Sequence, residues 1–287
     1  MPIVSELVTK LFADDTCLVF SAKSLNSLQI AINLEMKKIE KWLTMNKFSL
    51  NYSKRKFMLI HKKLSIGNFN LYIDNNKIEQ VKLYEYLGVT IDEKLNWIDQ
   101  IKHIESKLSQ ACGAIARIRP FVDQECLRTL YFGYAYPFLQ YAVLAWGSAT
   151  KTNLKRIHVL HNRILRLMSL HGPLIDIELS NNELYKNMNL LKFDDIYFLE
   201  TAKFMYRCTN KSLPDSFESY FVRKEYRFNL RSTVSNPFIK QRANTNAYKR
   251  WLINHGLDVW EKIDQKTKNL SYFSFKYEVK TKILKEY

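Results

Sequence analysis

No C-x-x-C pair occurs anywhere in the chain, and the four cysteines, Cys17, Cys112, Cys126 and Cys208, lie far apart. That spacing excludes a zinc finger or knuckle and any short disulfide framework. The cysteines read as reduced, buried thiols of an intracellular, soluble protein. There is no internal repeat and no low-complexity tract, so neither a solenoid nor a disordered linker is expected. The first fifteen residues carry Glu6, Lys10, Asp14 and Asp15 and no apolar core, so no secretory leader is expected there. No clear nuclear signal is present either, which leaves the nucleus open as a location.

Acidic residues are in deficit. Against 44 Lys and Arg stand 28 Asp and Glu, a net charge of +16. Such a surplus favours a polyanionic partner, nucleic acid first and an anionic membrane second. The positive charge is spread along the chain with no single basic tail, and aromatic residues make up 14%. A folded protein with basic grooves fits that pattern better than a disordered basic arm. One stretch, residues 129–150, has no charged side chain. Its length would permit a membrane span. However, it holds four tyrosines, Gln140, Pro137 and two glycines, so helices buried in a globular core are expected and no membrane partner.

Periodicity sets out the elements. Residues 10–21 read as a hairpin. Ser24 reads as an N-cap before a helix whose apolar face is Leu25, Leu28, Ile32, Met36, Ile39 and Leu43. Strands are expected over 57–60 and 86–91, with a hairpin turning at Asp74-Asn75-Asn76-Lys77. From Trp97 the period becomes helical. Ile101, Ile104, Leu108, Ala111, Ile115 and Ile118 share one face, and Pro120 ends it. Further helix is expected over 123–147, broken at Pro137, then along Leu154, Ile157, Leu160, Ile164 and Leu167. Asp194 to Cys208 and Trp251 to Ile263 read as helical, and 222–250 as basic and loop-rich. The face opposite Leu154–Leu167 carries Lys151, Lys155, Arg156, Arg163 and Arg166. That face could follow a phosphate backbone or be plain solvated surface. His158 and His161 stand three residues apart with no third ligand nearby, and read as a partly exposed pair. Asp194-Asp195 precedes a helical run, where the helix dipole accounts for it.

The sharpest chemical feature is Asp14-Asp15, with apolar residues on both sides. Asp-Asp is poor strand material and good turn material, so strand, carboxylate tip, strand is the natural reading. Two carboxylates at one tip repel each other unless a cation lies between them, and hard oxygen ligands suit magnesium. The dipeptide alone fits a solvated surface turn equally well.

Four elements in order narrow the reading. They are Phe12-Ala13-Asp14-Asp15-Thr16; Leu50-Asn51-Tyr52-Ser53-Lys54; Tyr86-Leu87-Gly88-Val89-Thr90-Ile91-Asp92 with Leu95 and Trp97; and Pro137-Phe138-Leu139-Gln140-Tyr141 ending in Trp146-Gly147. Over nearly the whole chain their order and spacing resemble those of reverse transcriptases of non-LTR retrotransposons, in the jockey-like group. Gln100 departs from that pattern, which has histidine there. The resemblance implies that Asp14 and Asp15 bind catalytic Mg2+. It implies that Lys54 lies near the triphosphate, although a solvated lysine beside Arg55 and Lys56 is an equal reading. It implies that Tyr86, Leu87 and Gly88 form a primer-grip-like element, where glycine allows close approach of a sugar-phosphate strand. Gly88 as a packing glycine within a strand is the plainer alternative.

The resemblance further implies an α+β architecture. A partial polymerase palm is expected over 1–63, a β connector over 64–96, a helical thumb over 97–170 and a helical, loop-rich region over 171–287. The full-length relative would add deoxynucleotides to a DNA primer on an RNA template, by in-line attack assisted by two magnesium ions. A further palm aspartate of the family lies upstream of the Asp-Asp hairpin, and only Met1 to Thr9 precede the hairpin here. The chain thus reads as the downstream part of such a polymerase, without activity on its own. The alternative is a non-catalytic nucleic-acid-binding remnant or co-opted module.

Overall fold

Strand and helix are segregated along the chain. In the computed structural model, which describes residues 8–13, 15–48, 55–60, 69–73, 76–169, 179–224 and 237–287, every named strand lies before residue 93. The protein is mixed helix and sheet, compatible with α+β. It divides into two units, residues 1–95 and 96–287.

In the first unit β1 (Val8–Phe12) and β2 (Asp15–Val19) form an antiparallel hairpin. Next comes α1 (Leu25–Met45), capped as expected by Ser24, whose Oγ accepts the Ser27 N–H at 3.1 Å. A side-chain cap satisfies one of the amides that a helix start leaves free. The apolar face of α1 closes a small core. Ile32, with Leu25, Leu28 and Met36, packs on Leu59, Phe69 and Leu71. Gln29 Nε2 donates to the Asn70 carbonyl at 2.8 Å, tying the helix to that segment. The short strands are β3 (Lys56–Phe57), β4 (Tyr72–Ile73), β5 (Asn76–Lys77) and β6 (Glu79–Gln80). β4 pairs with β5 antiparallel, and β3 pairs with β6 parallel. β7 (Leu83–Tyr86) and β8 (Val89–Asp92) complete the unit as a second longer hairpin.

Three expectations need correction here. The strand at 57–60 shortens to Lys56–Phe57. Asn76 and Lys77 are strand rather than turn, because Ile73 pairs with Asn76. The strand at 86–91 is two strands with a reversal between them. All four sheets of the described residues are two-stranded, so both hairpins keep open edges. Leu18 is half-buried and Phe20 packs on the small core, while Val8, Leu11, Phe12 and Val19 are exposed.

The second unit is helical. α2 (Ile98–Ile118) runs into a 3-10 turn over Arg119–Phe121 that contains Pro120. Then come α3 (Gln124–Tyr134), α4 (Tyr136–Gln140), α5 (Val143–Trp146) and α6 (Lys151–Ser169). The expected break at Pro137 falls earlier, at Ala135, because proline suits the first turn of the following helix. α7 (Asn181–Asn187) carries a complete capping box between Ser180 and Glu183. Asp194 and Asp195 lie in the first turn of α8 (Phe193–Thr209), as the dipole reading requires. α9 (Asn246–Arg250), α10 (Leu252–Lys262), α11 (Gln265–Lys268) and α12 (Tyr272–Lys285) follow. One core joins these helices. α2 contributes Ile101, Ile104, Leu108, Ala111 and Ile115, facing Leu154, Ile157, Leu160 and Ile164 of α6. Ile118, expected on the same face, is exposed beyond the end of that contact.

The uncharged run 129–150 is divided among α3, α4 and α5, and among the described residues no helix is long and apolar enough to cross a membrane. The cysteines are free, but only Cys112 is buried; Cys126 is exposed, and Cys17 and Cys208 are half-buried. Burial and pairing differ sharply between the units, which sets an expectation for hydrogen exchange. Amides of 8–19 should exchange fast, and those of α2 and α6 should be the slowest in the chain. Equal protection in both regions, read by mass spectrometry, would show that the hairpin is covered and its edges paired.

Candidate nucleic-acid interface

In the first hairpin Phe12 pairs with Asp15, so the link is Ala13 and Asp14. Ala13 takes a left-handed φ of 49°, unusual for a residue with a Cβ. Asp15 is the first residue of β2, and its side chain is exposed. Asp14 and Lys54 lie outside the described residues. Phe12, next to this tip, is 61% exposed. As a ligand set, the described part of this tip offers one hard, solvent-open carboxylate, which suits magnesium by donor type. Among the described residues no group of three His, Cys, Asp or Glu converges on one point.

Leu87 and Gly88 are the two central residues of the second hairpin, with φ of 50° and 73°. Two positive φ angles in a two-residue link mark the primed turns that match strand twist. Gly88 is thus a turn glycine, neither a strand packing glycine nor a residue of the strand expected over 86–91. Leu87 holds the same handedness against its own Cβ. Tyr86 is half-buried beside this turn. Partial burial pushes its phenol up, and the charges of Cys17, Asp15 and Tyr84 push the same way. Tyr86 and the Asp15 hairpin are therefore within electrostatic reach of each other. After the turn Asp92 is buried, and its Oδ1 accepts the Lys94 N–H at 3.0 Å.

The Pro137–Trp146-Gly147 element carries structure rather than chemistry. Leu139 and Trp146 are fully buried. The Trp146 ring stacks on Phe193 at 5.3 Å, and its Nε1 donates to the Tyr141 carbonyl at 2.8 Å. A Cβ on Gly147 would lie 2.5 Å from the Val143 carbonyl oxygen and 2.8 Å from the Tyr197 ring. Only glycine lets α5 end this close to α8.

On α6 the five basic residues Lys151, Lys155, Arg156, Arg163 and Arg166 are all exposed, and the helix holds no acidic residue. Arg166 Nε donates to Asn181 Oδ1 at 3.1 Å. The buried face of the same helix corrects the histidine reading. His158 is half-buried, 3.5 Å from Asp194. His161 is fully buried, hydrogen-bonded to the Tyr131 hydroxyl at 2.9 Å and stacked on that ring. Desolvation, with a smaller push from His158, lowers its pKa to about 3, so it is neutral. Nδ1 of His161 has no hydrogen-bond partner among the described residues. The signal was present in the sequence, since position 161 sits four residues after Ile157 and three before Ile164, inside the apolar stripe.

The first unit presents an exposed carboxylate, Asp15, at the end of a hairpin, and the second unit an acid-free basic helix face. The chain is 25% identical over 167 residues to the probable RNA-directed DNA polymerase from transposon BS of Drosophila melanogaster, 55% of this chain and 18% of the relative. It is 22% identical over 161 residues to the probable RNA-directed DNA polymerase from transposon X-element, and 24% over 163 residues to the RNA-directed DNA polymerase from mobile element jockey, both of the same organism. These matches likewise take in 55% of this chain and 18% of each relative. The chain thus spans less than a fifth of the length of the curated relatives it matches. The resemblance to reverse transcriptases of non-LTR retrotransposons read from the motifs holds in these relatives. No family model and no solved structure matches.

Proposed function

We propose that the chain is a portion of an RNA-directed DNA polymerase of a non-LTR retrotransposon, and that its helical unit holds the RNA template and DNA primer. The observation that carries this is the α6 face, with five exposed cations and no carboxylate on the helix. Phosphate neutralisation by such a face supplies affinity without reading sequence. In this reading residues 1–63 are palm, 64–96 the β connector and 97–170 the thumb. Tyr86, Leu87 and Gly88 approach the primer strand.

In the complete enzyme Asp14 and Asp15 would hold Mg2+, which would supply activation of the primer 3′ hydroxyl and stabilisation of the pyrophosphate oxygen that leaves the incoming deoxynucleoside triphosphate. Lys54 would stand near its phosphates. In this reading the metal site takes a further palm carboxylate besides Asp14 and Asp15, and residues 1–287 expressed alone should bind without catalysing. With primed RNA, magnesium and deoxynucleotides, a gel shift at low salt is expected and primer extension is not. Extension above an Asp14→Ala, Asp15→Ala control would overturn the catalytic half of the proposal. Absence of any shift would overturn the binding half.

A further inference from the structure

The helical unit has an open groove of about 780 Å³ that none of the motifs touches except at Phe138. Its floor is α2, where Gly113 and Ala114 expose helix backbone, and a Cβ added at Gly113 would meet nothing within 4 Å. Tyr134 of α3 and Phe138 of α4 wall it. Tyr134 is 60% exposed, and no ring stacks on it among the described residues. Lys107 and Arg117 stand along the floor, with Lys107 Nζ 5.8 Å from the Phe138 ring. Ten residues of helix separate them, about 15 Å of rise. Neither makes a salt bridge among the described residues, and no acidic side chain lines the groove.

We propose that this groove is a binding site for single-stranded nucleic acid, separate from the α6 face. The inference rests on the nucleic-acid reading above and deepens it. Charge complementarity selects the occupant: two unpaired cations with no carboxylate call for a polyanion. A free aromatic face beside them calls for a polyanion that carries flat bases. Small residues on the floor let a sugar-phosphate backbone approach closely. A cavity in the size range of ordinary ligand pockets takes a short run of strand and not a double helix.

The test compares a fluorescein-labelled oligothymidylate single strand with a labelled duplex, using the full chain and anisotropy at low salt. Tyr134→Ala removes the stacking face and should lower single-strand affinity about tenfold. Gly113→Phe fills the groove at constant charge, at a position with open space, and should do the same. Both variants should keep the parent's duplex affinity, held by α6. Parent-like single-strand binding by both variants, or an equal loss for single strand and duplex, overturns the groove. If Gly113→Phe fails to fold by circular dichroism, Tyr134→Ala decides alone. A parent chain that binds neither probe would instead sink the broader function, a different result from parent binding that the variants leave unchanged.

Discussion

Trp146→Ala is expected to cost about 3–5 kcal/mol, as for other fully buried large aromatics. Against a usual stability of about 5–15 kcal/mol, that leaves the helical unit close to unfolding. The loss has three parts: the ring's burial, its stacking on Phe193, and the indole hydrogen bond that fixes the Tyr141 carbonyl. Gly147→Ala should destabilise by about 1–3 kcal/mol, because the nearest atom to a new Cβ is a backbone oxygen that cannot rotate aside. Gly133→Ala on α3 meets nothing within 4 Å and should stabilise, by about 1 kcal/mol of helix propensity. The same substitution thus has opposite signs at two glycines. Urea midpoints for the three variants check this, and a stable Trp146→Ala protein would show that the Pro137–Gly147 element is not what closes the core.

Acid should destabilise the helical unit through His161. Its pKa is about 6.5 unfolded and about 3 folded, so between these values the unfolded chain binds the extra proton. The stabilisation is fully present above pH 6.5 and is lost as pH falls toward 3, by about 4–5 kcal/mol in total. Carboxylates held low by hydrogen bonds, Asp264 with Lys282 and Glu183 with Ser180, lose stability in acid as well. A variant isolates the histidine. His161→Phe is less stable than the parent at neutral pH, since it leaves the Tyr131 hydroxyl without its partner. Between pH 7 and 4.5, however, the parent should lose about 2–3 kcal/mol more than the variant. Parallel losses in urea titrations at the two pH values would mean that His161 can be protonated in the folded protein.

Apolar periodicity carried α1, α2, α6 and α8 into the structure nearly at their expected bounds, because each buries one face and the 3.6-residue repeat records that face directly. The reversals were harder to read. Leu87 holds positive φ although it is not a turn-forming type, so the reversal inside the strand expected over 86–91 is not written in the residue types. Pairing of the flanking strands imposes that turn, and Leu87 does not announce it. Pro137 marked a real discontinuity, but proline's preference for a helix start moved the break to Ala135. The three-residue spacing of His158 and His161 reads as a partly exposed pair, but the place of His161 in the apolar stripe is the stronger signal and it is buried. The basic face of α6 was fully legible, since charges opposite an apolar stripe have nowhere else to go. The groove under Lys107 and Arg117 was not, because its walls come from three helices whose packing no local pattern encodes.

Salt dependence of binding is the most direct measurement of the central claim that the helical unit grips a phosphate backbone. Anisotropy of a labelled single-stranded oligonucleotide should give an affinity that falls steeply with salt, with a log–log slope of about −0.7 per phosphate neutralised. Replacing Lys151, Lys155, Arg156, Arg163 and Arg166 with glutamine should weaken binding and flatten the slope while leaving sequence preference unchanged. An affinity insensitive to salt, or a five-site variant that binds with the parent's affinity and slope, would make the α6 face ordinary solvated surface and contradict the account.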